Sequence, residues 1–106
     1  IVRCSYDLGS ALVLTTGGTG CSRYDVTPEA TEAVINRLVP GIPEAMRFAN
    51  NVRTPLAALS RGIAGIRGST LIVNLPGSSG GAVTSLSAVL PALKQGVESL
   101  RRRQSR

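Results

Sequence analysis

Twice in this chain a β-rich apolar run breaks at a cluster of glycines and then enters a helical pattern. The first run, Leu12-Val13-Leu14-Thr15-Thr16, gives way to Gly17-Gly18-Thr19-Gly20 and, past Asp25, to a helix start at Thr27-Pro28. The second, Thr70-Leu71-Ile72-Val73-Asn74-Leu75, breaks at Pro76-Gly77-Ser78-Ser79-Gly80-Gly81 and leads into a long helical stretch. Two strand–loop–helix units point to an α/β domain. Right-handed connections place both loops at the carboxyl edge of one parallel sheet. Ligands of open α/β sheets bind in the crevice beyond that edge. Glycines there let backbone N–H groups crowd around an anion without a Cβ in the way.

The chain's 106 residues make one domain, residues 1–106, with an adequate but not generous core. Only three residues are aromatic, so the interior must be built from Leu, Ile, Val and Ala, as suits a sheet covered by helices. Histidine is absent, which excludes a Cys/His zinc site and any nucleophile that relies on a histidine base. Cys4 and Cys21 lack metal-ligand spacing, and Cys21 beside the first glycine loop reads as a small filler, with a reactive thiol as the alternative. No apolar run reaches the length of a membrane span, and Ile1-Val2-Arg3-Cys4 lacks the pattern of a signal peptide. The expectation is a cytoplasmic protein without a disulfide. The net charge of +6 is concentrated in the tail Arg101-Arg102-Arg103-Gln104-Ser105-Arg106. Positive charge at a helix end complements its dipole, and with no aromatic residues interleaved the tail does not read as a nucleic-acid surface.

Local signals fill in the elements. Ile1–Cys4 reads as a strand and Asp7–Ser10 as a turn. A helix is predicted with Thr27 as N-cap and Pro28 at its first position, with Ala30, Val34, Ile35 and Leu38 as apolar stripe and Pro40-Gly41 as its end. A second helix runs from about Ile42 to Ala49, closed by Asn50-Asn51. Thr54-Pro55 opens a short helical piece through Leu59, and Gly65-Ile66-Arg67-Gly68 reads as a turn-rich link. The last helix spans about Ala82 to Arg103. Its buried face is read as Val83, Leu86, Val89, Leu90, Leu93 and Val97, with a kink or break at Pro91.

Neither glycine loop is a P-loop, since the motif needs a lysine before Ser/Thr and the only lysine is Lys94. Asp25 is the one hard oxygen ligand near the first loop that could hold magnesium; its blander role is to cap the helix start at Val26-Thr27. Arg23 and Arg61 could neutralise a second anion. Ser22, Ser78 and Ser79 are hydroxyl donors of no special specificity.

The string Thr15-Thr16-Gly17-Gly18-Thr19-Gly20 followed by Asp25-Val26-Thr27-Pro28-Glu29-Ala30-Thr31 resembles the MogA/MoaB family of molybdenum cofactor biosynthesis proteins. The match continues through Pro40-Gly41, Thr54-Pro55, Leu59-Ser60-Arg61, Gly65-Ile66-Arg67-Gly68, Leu71-Ile72-Val73-Asn74-Leu75-Pro76-Gly77 and Leu90-Pro91-Ala92-Leu93. The resemblance implies a three-layer α/β/α domain with a mostly parallel sheet, and a homotrimer. It implies a molybdopterin adenylyltransferase, which moves AMP from Mg-ATP onto the terminal phosphate of molybdopterin before handover to a molybdate-inserting enzyme. Asp25 matches a family aspartate used for catalysis and for Mg²⁺. Thr16, Gly17, Gly18, Thr19 and Gly20 match the loop that receives phosphate. Asn74, Pro76, Gly77 and Ser78 match the region lining the nucleotide side, and Ser60 and Arg61 match a segment near the pterin pocket. The family has two further strands and two further helices ahead of the part matching Ala11, carrying another essential acidic residue, so this chain is expected to lack its N-terminal strands. Its Ser79-Gly80-Gly81 also stands where the family has a small residue and proline. Two alternatives follow: a non-catalytic molybdopterin-binding or scaffold module, and a basic nucleic-acid accessory domain acting through Arg101–Arg106.

Overall fold

Strand β5 (Thr70–Leu75) is the axis of a five-stranded sheet in a computed structural model that describes residues 2–4 and 12–104. The other strands are β1 (Val2–Cys4), β2 (Leu12–Thr16), β3 (Arg37–Leu38) and β4 (Ala64–Arg67), in the spatial order β1-β2-β5-β4-β3. β2 lies parallel to β5, with Leu12 opposite Leu71 and Thr16 opposite Leu75. β1 pairs antiparallel with β2, and β4 pairs antiparallel with both β5 and β3. Three of the five strands therefore share one direction, although the flanking pairings are antiparallel. The bounds of β5 are those read from the sequence. The turn expected at Asp7–Ser10 lies outside the described residues.

Side chains alternate across a strand, so Leu71, Val73 and Leu75 face one side of the sheet and Ile72 and Asn74 the other. The first side packs on helix α2 (Gly41–Asn51) and helix α3 (Ser79–Gln104). Ile42, Met46, Val89, Leu93 and Leu100 join Ala64 and the β5 residues there in the main core. The second side carries the short helix α1 (Thr27–Glu32), tied in by the side chains of Asn74 and Thr31. Helices on both faces give three layers.

Several readings of the elements change. The helix expected to run to Leu38 ends at Glu32, because β4 captures the next donors: Asn36 N–H donates to Ile66 O and Val39 N–H to Ala64 O. Leu38 is consequently an exposed strand residue, and Ile35 packs onto Gly65, where an added Cβ would come within 2.5 Å of its Cδ1. Gly65–Arg67 is strand rather than link. Only Gly68 turns, at φ +61°, in the two-residue connection between β4 and β5 that calls for such a conformation. Along α3 the buried face is Ser85, Val89, Leu93 and Leu100, with Leu86 partly buried, whereas Val83 and Leu90 are exposed. The helix continues through Pro91 without interruption.

The short piece after Thr54-Pro55 is a 3-10 helix, Pro55–Leu59, whose N-cap Thr54 Oγ1 accepts from Leu56 N–H at 3.2 Å. Thr27, by contrast, is not an N-cap: that position is Val26, and no side chain caps α1. No helix among the described residues is long and apolar enough to cross a membrane.

Candidate functional site

Because β2 and β5 are parallel neighbours, both glycine loops leave the same edge of the sheet, and they touch. Gly17 N–H donates to Leu75 O at 3.0 Å, and a Cβ on Gly77 would lie 3.1 Å from Gly17 Cα. Gly17 and Gly18 have φ of +83° and +71°, a region where L side chains are strained. Gly18 is further confined by Thr27, whose Oγ1 occupies the place a Cβ would need and whose N–H donates to Gly18 O at 3.1 Å. Thr27 therefore shapes the loop from the helix side.

A cleft of about 230 Å³ opens between these loops, α2 and the 3-10 helix. Five of the sequence-derived site residues line it: Thr19, Gly20, Ser60, Pro76 and Ser78. Ser78 is also the N-cap of α3, with its Oγ accepting from Gly81 N–H at 3.1 Å. Thr16, Gly17, Gly18 and Gly77 do not line the cleft; Gly17 and Gly77 meet each other where the two loops leave the sheet, and Gly18 packs on Thr27. Asp25 stands behind Gly20, half-buried, with Oδ2 accepting from Ser22 N–H at 3.0 Å. A Cβ on Gly20 would come 2.8 Å from that same oxygen, so glycine is what lets the carboxylate sit there. Asp25 is thus a loop residue facing Gly20, not the cap of α1.

Two site readings change outright. Asn74 lines nothing: it is 1% exposed, donating to Thr15 Oγ1 and Thr31 Oγ1, each at 3.0 Å, and accepting from Ile63 N–H at 3.1 Å. Both its amide protons and its carbonyl oxygen are engaged, so it is a strut between the sheet and α1. Arg61 does not reach into the cleft as a second anion clamp either. Its guanidinium is engaged by Gly20 O, Asp25 O and the Glu29 carboxylate. Arg23 lies over the Tyr24 ring in the exposed loop, and Cys21, read as a small filler, is an exposed thiol that donates to Leu59 O.

The sequence reading missed the cleft's cations. Arg47 and Arg53 line it, and among the described residues no carboxylate does. Arg47 donates to Ser60 O and Gly62 O, tying α2 to the segment after the 3-10 helix. Arg53 donates to Asn50 Oδ1 at 3.2 Å, and its Nη2 sits where a Cβ on Gly80 would fall within 2.5 Å. Asn50 is buried and itself held by donation to Ser85 Oγ at 2.7 Å and Met46 O at 3.0 Å. The available signal was a polar residue, Asn50, at helical spacing from Met46 on an otherwise apolar face.

The hydrogen bond from Arg61 holds the Glu29 carboxyl below its ordinary value of 4.5, and Glu29 in turn raises Arg61. A carboxyl lowered on folding contributes stability above its unfolded value and loses it as pH falls through the folded value. The ion pair should therefore persist above pH 4.5 and dissolve at more acid pH. Carbon-detected NMR titration should give Glu29 a midpoint below 4.5 that moves back up in Arg61→Gln. A midpoint unmoved by that substitution would show that the pair does not form in solution.

Residues 5–95 match the model of the family described as the probable molybdopterin binding domain. The molybdopterin adenylyltransferase of Helicobacter pylori is 50% identical over 82 residues, which is 77% of this chain and 47% of that protein. The chain thus spans about half the length of this curated relative. Among solved structures, the molybdopterin biosynthesis Mog protein of Mycobacterium ulcerans superposes with a TM-score of 0.84 at 41% identity, over 88% of this chain and 61% of the other. The molybdopterin biosynthesis enzyme MoaB of Thermus thermophilus gives 0.75 at 54% identity, over 86% and 60%. With its paired glycine loops, its cationic cleft and these likenesses, the chain belongs to the molybdopterin-binding domain family, among its MogA/MoaB members.

Proposed function

We propose that this chain is the core of a molybdopterin adenylyltransferase, moving AMP from ATP onto the terminal phosphate of molybdopterin. The observation that carries the reading is the meeting of two glycine loops beside a cleft that, among the described residues, is lined by two arginines and no acid. The reaction is an in-line displacement: a molybdopterin phosphate oxygen bonds to the α-phosphorus of ATP while the bond to pyrophosphate breaks. Such chemistry asks the protein mainly for positioning and charge stabilisation. Main-chain amides of Gly18 to Gly20 orient one phosphate. Arg53, braced by Asn50 and Ser85, faces a second anionic group, and the Ser78 hydroxyl has a proton left to donate.

Among the described residues no group of three His, Cys, Asp or Glu could cage a metal. That agrees with magnesium carried in on ATP, since Mg²⁺ keeps its waters and uses one or two carboxylates plus substrate phosphates. Asp25 fits as that carboxylate, because among the described residues only its Oδ2 is engaged by the protein. The ion, when bound, supplies charge neutralisation at the phosphate oxygens. The reading extends to a cytoplasmic homotrimer that hands its product to a molybdate-inserting enzyme, which family membership supports.

The experiment is AMP transfer by the full-length protein, with purified molybdopterin and ATP. Arg53→Ala should raise KM for an anionic substrate about 10- to 100-fold, as for loss of a charge-assisted hydrogen bond. Unchanged KM for both substrates would remove Arg53 from the site. A second reading, a binding module without turnover, is favoured by one fact: among the described residues, Asp25 is the only carboxylate beside the first loop not committed to an arginine, Glu29 being paired. Tight molybdopterin binding with no ATP-dependent transfer would establish it.

A further inference from the structure

The loop that carries Asp25 is held by one side chain from outside it. Arg61 follows the 3-10 helix, and its main-chain N–H donates to Thr19 O at 2.8 Å. Its Nε donates to Gly20 O at 2.6 Å, its Nη2 to Asp25 O at 2.5 Å, and its Nη1 to Glu29 Oε2 at 2.6 Å. These acceptors lie on the glycine loop, at the loop's end and on the first turn of α1. The pair with Glu29 is too exposed, at 36% and 58%, for its Coulomb energy to explain so complete an engagement. What the guanidinium adds is geometry. Its planar fork fixes several acceptors at once, which a lysine ammonium cannot do. The Asp25 carboxylate moves with the loop, because Oδ2 accepts from Ser22 N–H within it.

We infer that Arg61 is a positioning residue: by joining Gly20, Asp25 and Glu29 it holds the Asp25 carboxylate and the glycine-loop amides in register for phosphate chemistry, without binding substrate itself. The kinetic side of this inference rests on the adenylyl-transfer reading; the structural side does not.

The test uses the full-length protein as Arg61→Lys and Glu29→Gln, with two readouts. Amide hydrogen exchange at Ser22 should quicken at least about tenfold in Arg61→Lys while exchange in β5 and α3 is unchanged, as expected of a local opening. In AMP transfer, kcat should fall about 100-fold with KM for ATP nearly constant, the pattern of a misplaced catalytic group rather than a lost ligand contact. Glu29→Gln should move both readouts the same way but less. Unchanged Ser22 exchange in Arg61→Lys overturns the inference. So does a raised KM with unchanged kcat, which would make Arg61 a ligand contact. If Arg61→Lys does not fold, Glu29→Gln decides by the same exchange criterion. If the wild-type protein transfers no AMP, the function reading fails, and the exchange measurement still decides the role of Arg61.

Discussion

Asp25→Asn in the full-length protein is expected to lower kcat for AMP transfer at least about 100-fold while leaving the fold intact, since metal-assisted charge stabilisation is worth several kcal/mol. The substitution keeps the side-chain size, and the amide oxygen can still accept from Ser22 N–H, the one protein hydrogen bond that the carboxylate makes among the described residues. Only the charge that a phosphate-bound magnesium ion would meet is removed. The check is steady-state transfer alongside a thermal melt. Turnover near the wild-type rate would take Asp25 out of the reaction, whereas loss of turnover with a lowered melting temperature would mean that the loop itself had collapsed.

The largest effect on stability is expected from Asn74→Leu. Leucine keeps the branching and number of side-chain heavy atoms, but its methyl groups are bulkier and it leaves Ile63 N–H without its acceptor and both threonine hydroxyls without their donor. Each buried polar group so stranded costs about 1–3 kcal/mol, so the loss should be about 3–5 kcal/mol by urea unfolding. A loss below about 1 kcal/mol would mean that water or a new pairing of the threonines replaces the amide. The effect should reach the site as well, because Thr31 belongs to α1, whose Glu29 meets Arg61.

The sequence exposed the parts of this fold that local chemistry decides alone. The β-branched and apolar residues Leu71, Ile72, Val73 and Leu75, bounded by Gly68 and Pro76-Gly77, read as a buried strand, and the glycines after it and after Thr16 mark where the chain must turn at that edge. The antiparallel side of the sheet was hidden, because β3 has two residues and its helical-looking neighbours Val34, Ile35 and Leu38 fall by chance at the spacing of a stripe. The buried face of α3 was misread for a different reason. Ser85 is polar by composition, yet it is fully buried as the acceptor for Asn50, a partner 35 positions away. Arginine roles were the least legible. The partners of Arg61 and Arg47 are mostly main-chain carbonyls brought near by folding, and no spacing in the sequence announces a carbonyl.

The contact between Gly17 and Gly77 limits how such a site can diversify. A methyl group on Gly77 would press on main-chain atoms of the opposite bend at 3.1 Å, and backbone, unlike the tip of a flexible side chain, yields only by shifting its whole strand end. Variation is therefore cheap at Leu56, Ala57 and Leu59, which line the cleft, and dear where the two bends meet beside it. Descendants of this chain can retune what the cleft admits far more readily than where a phosphate comes to rest.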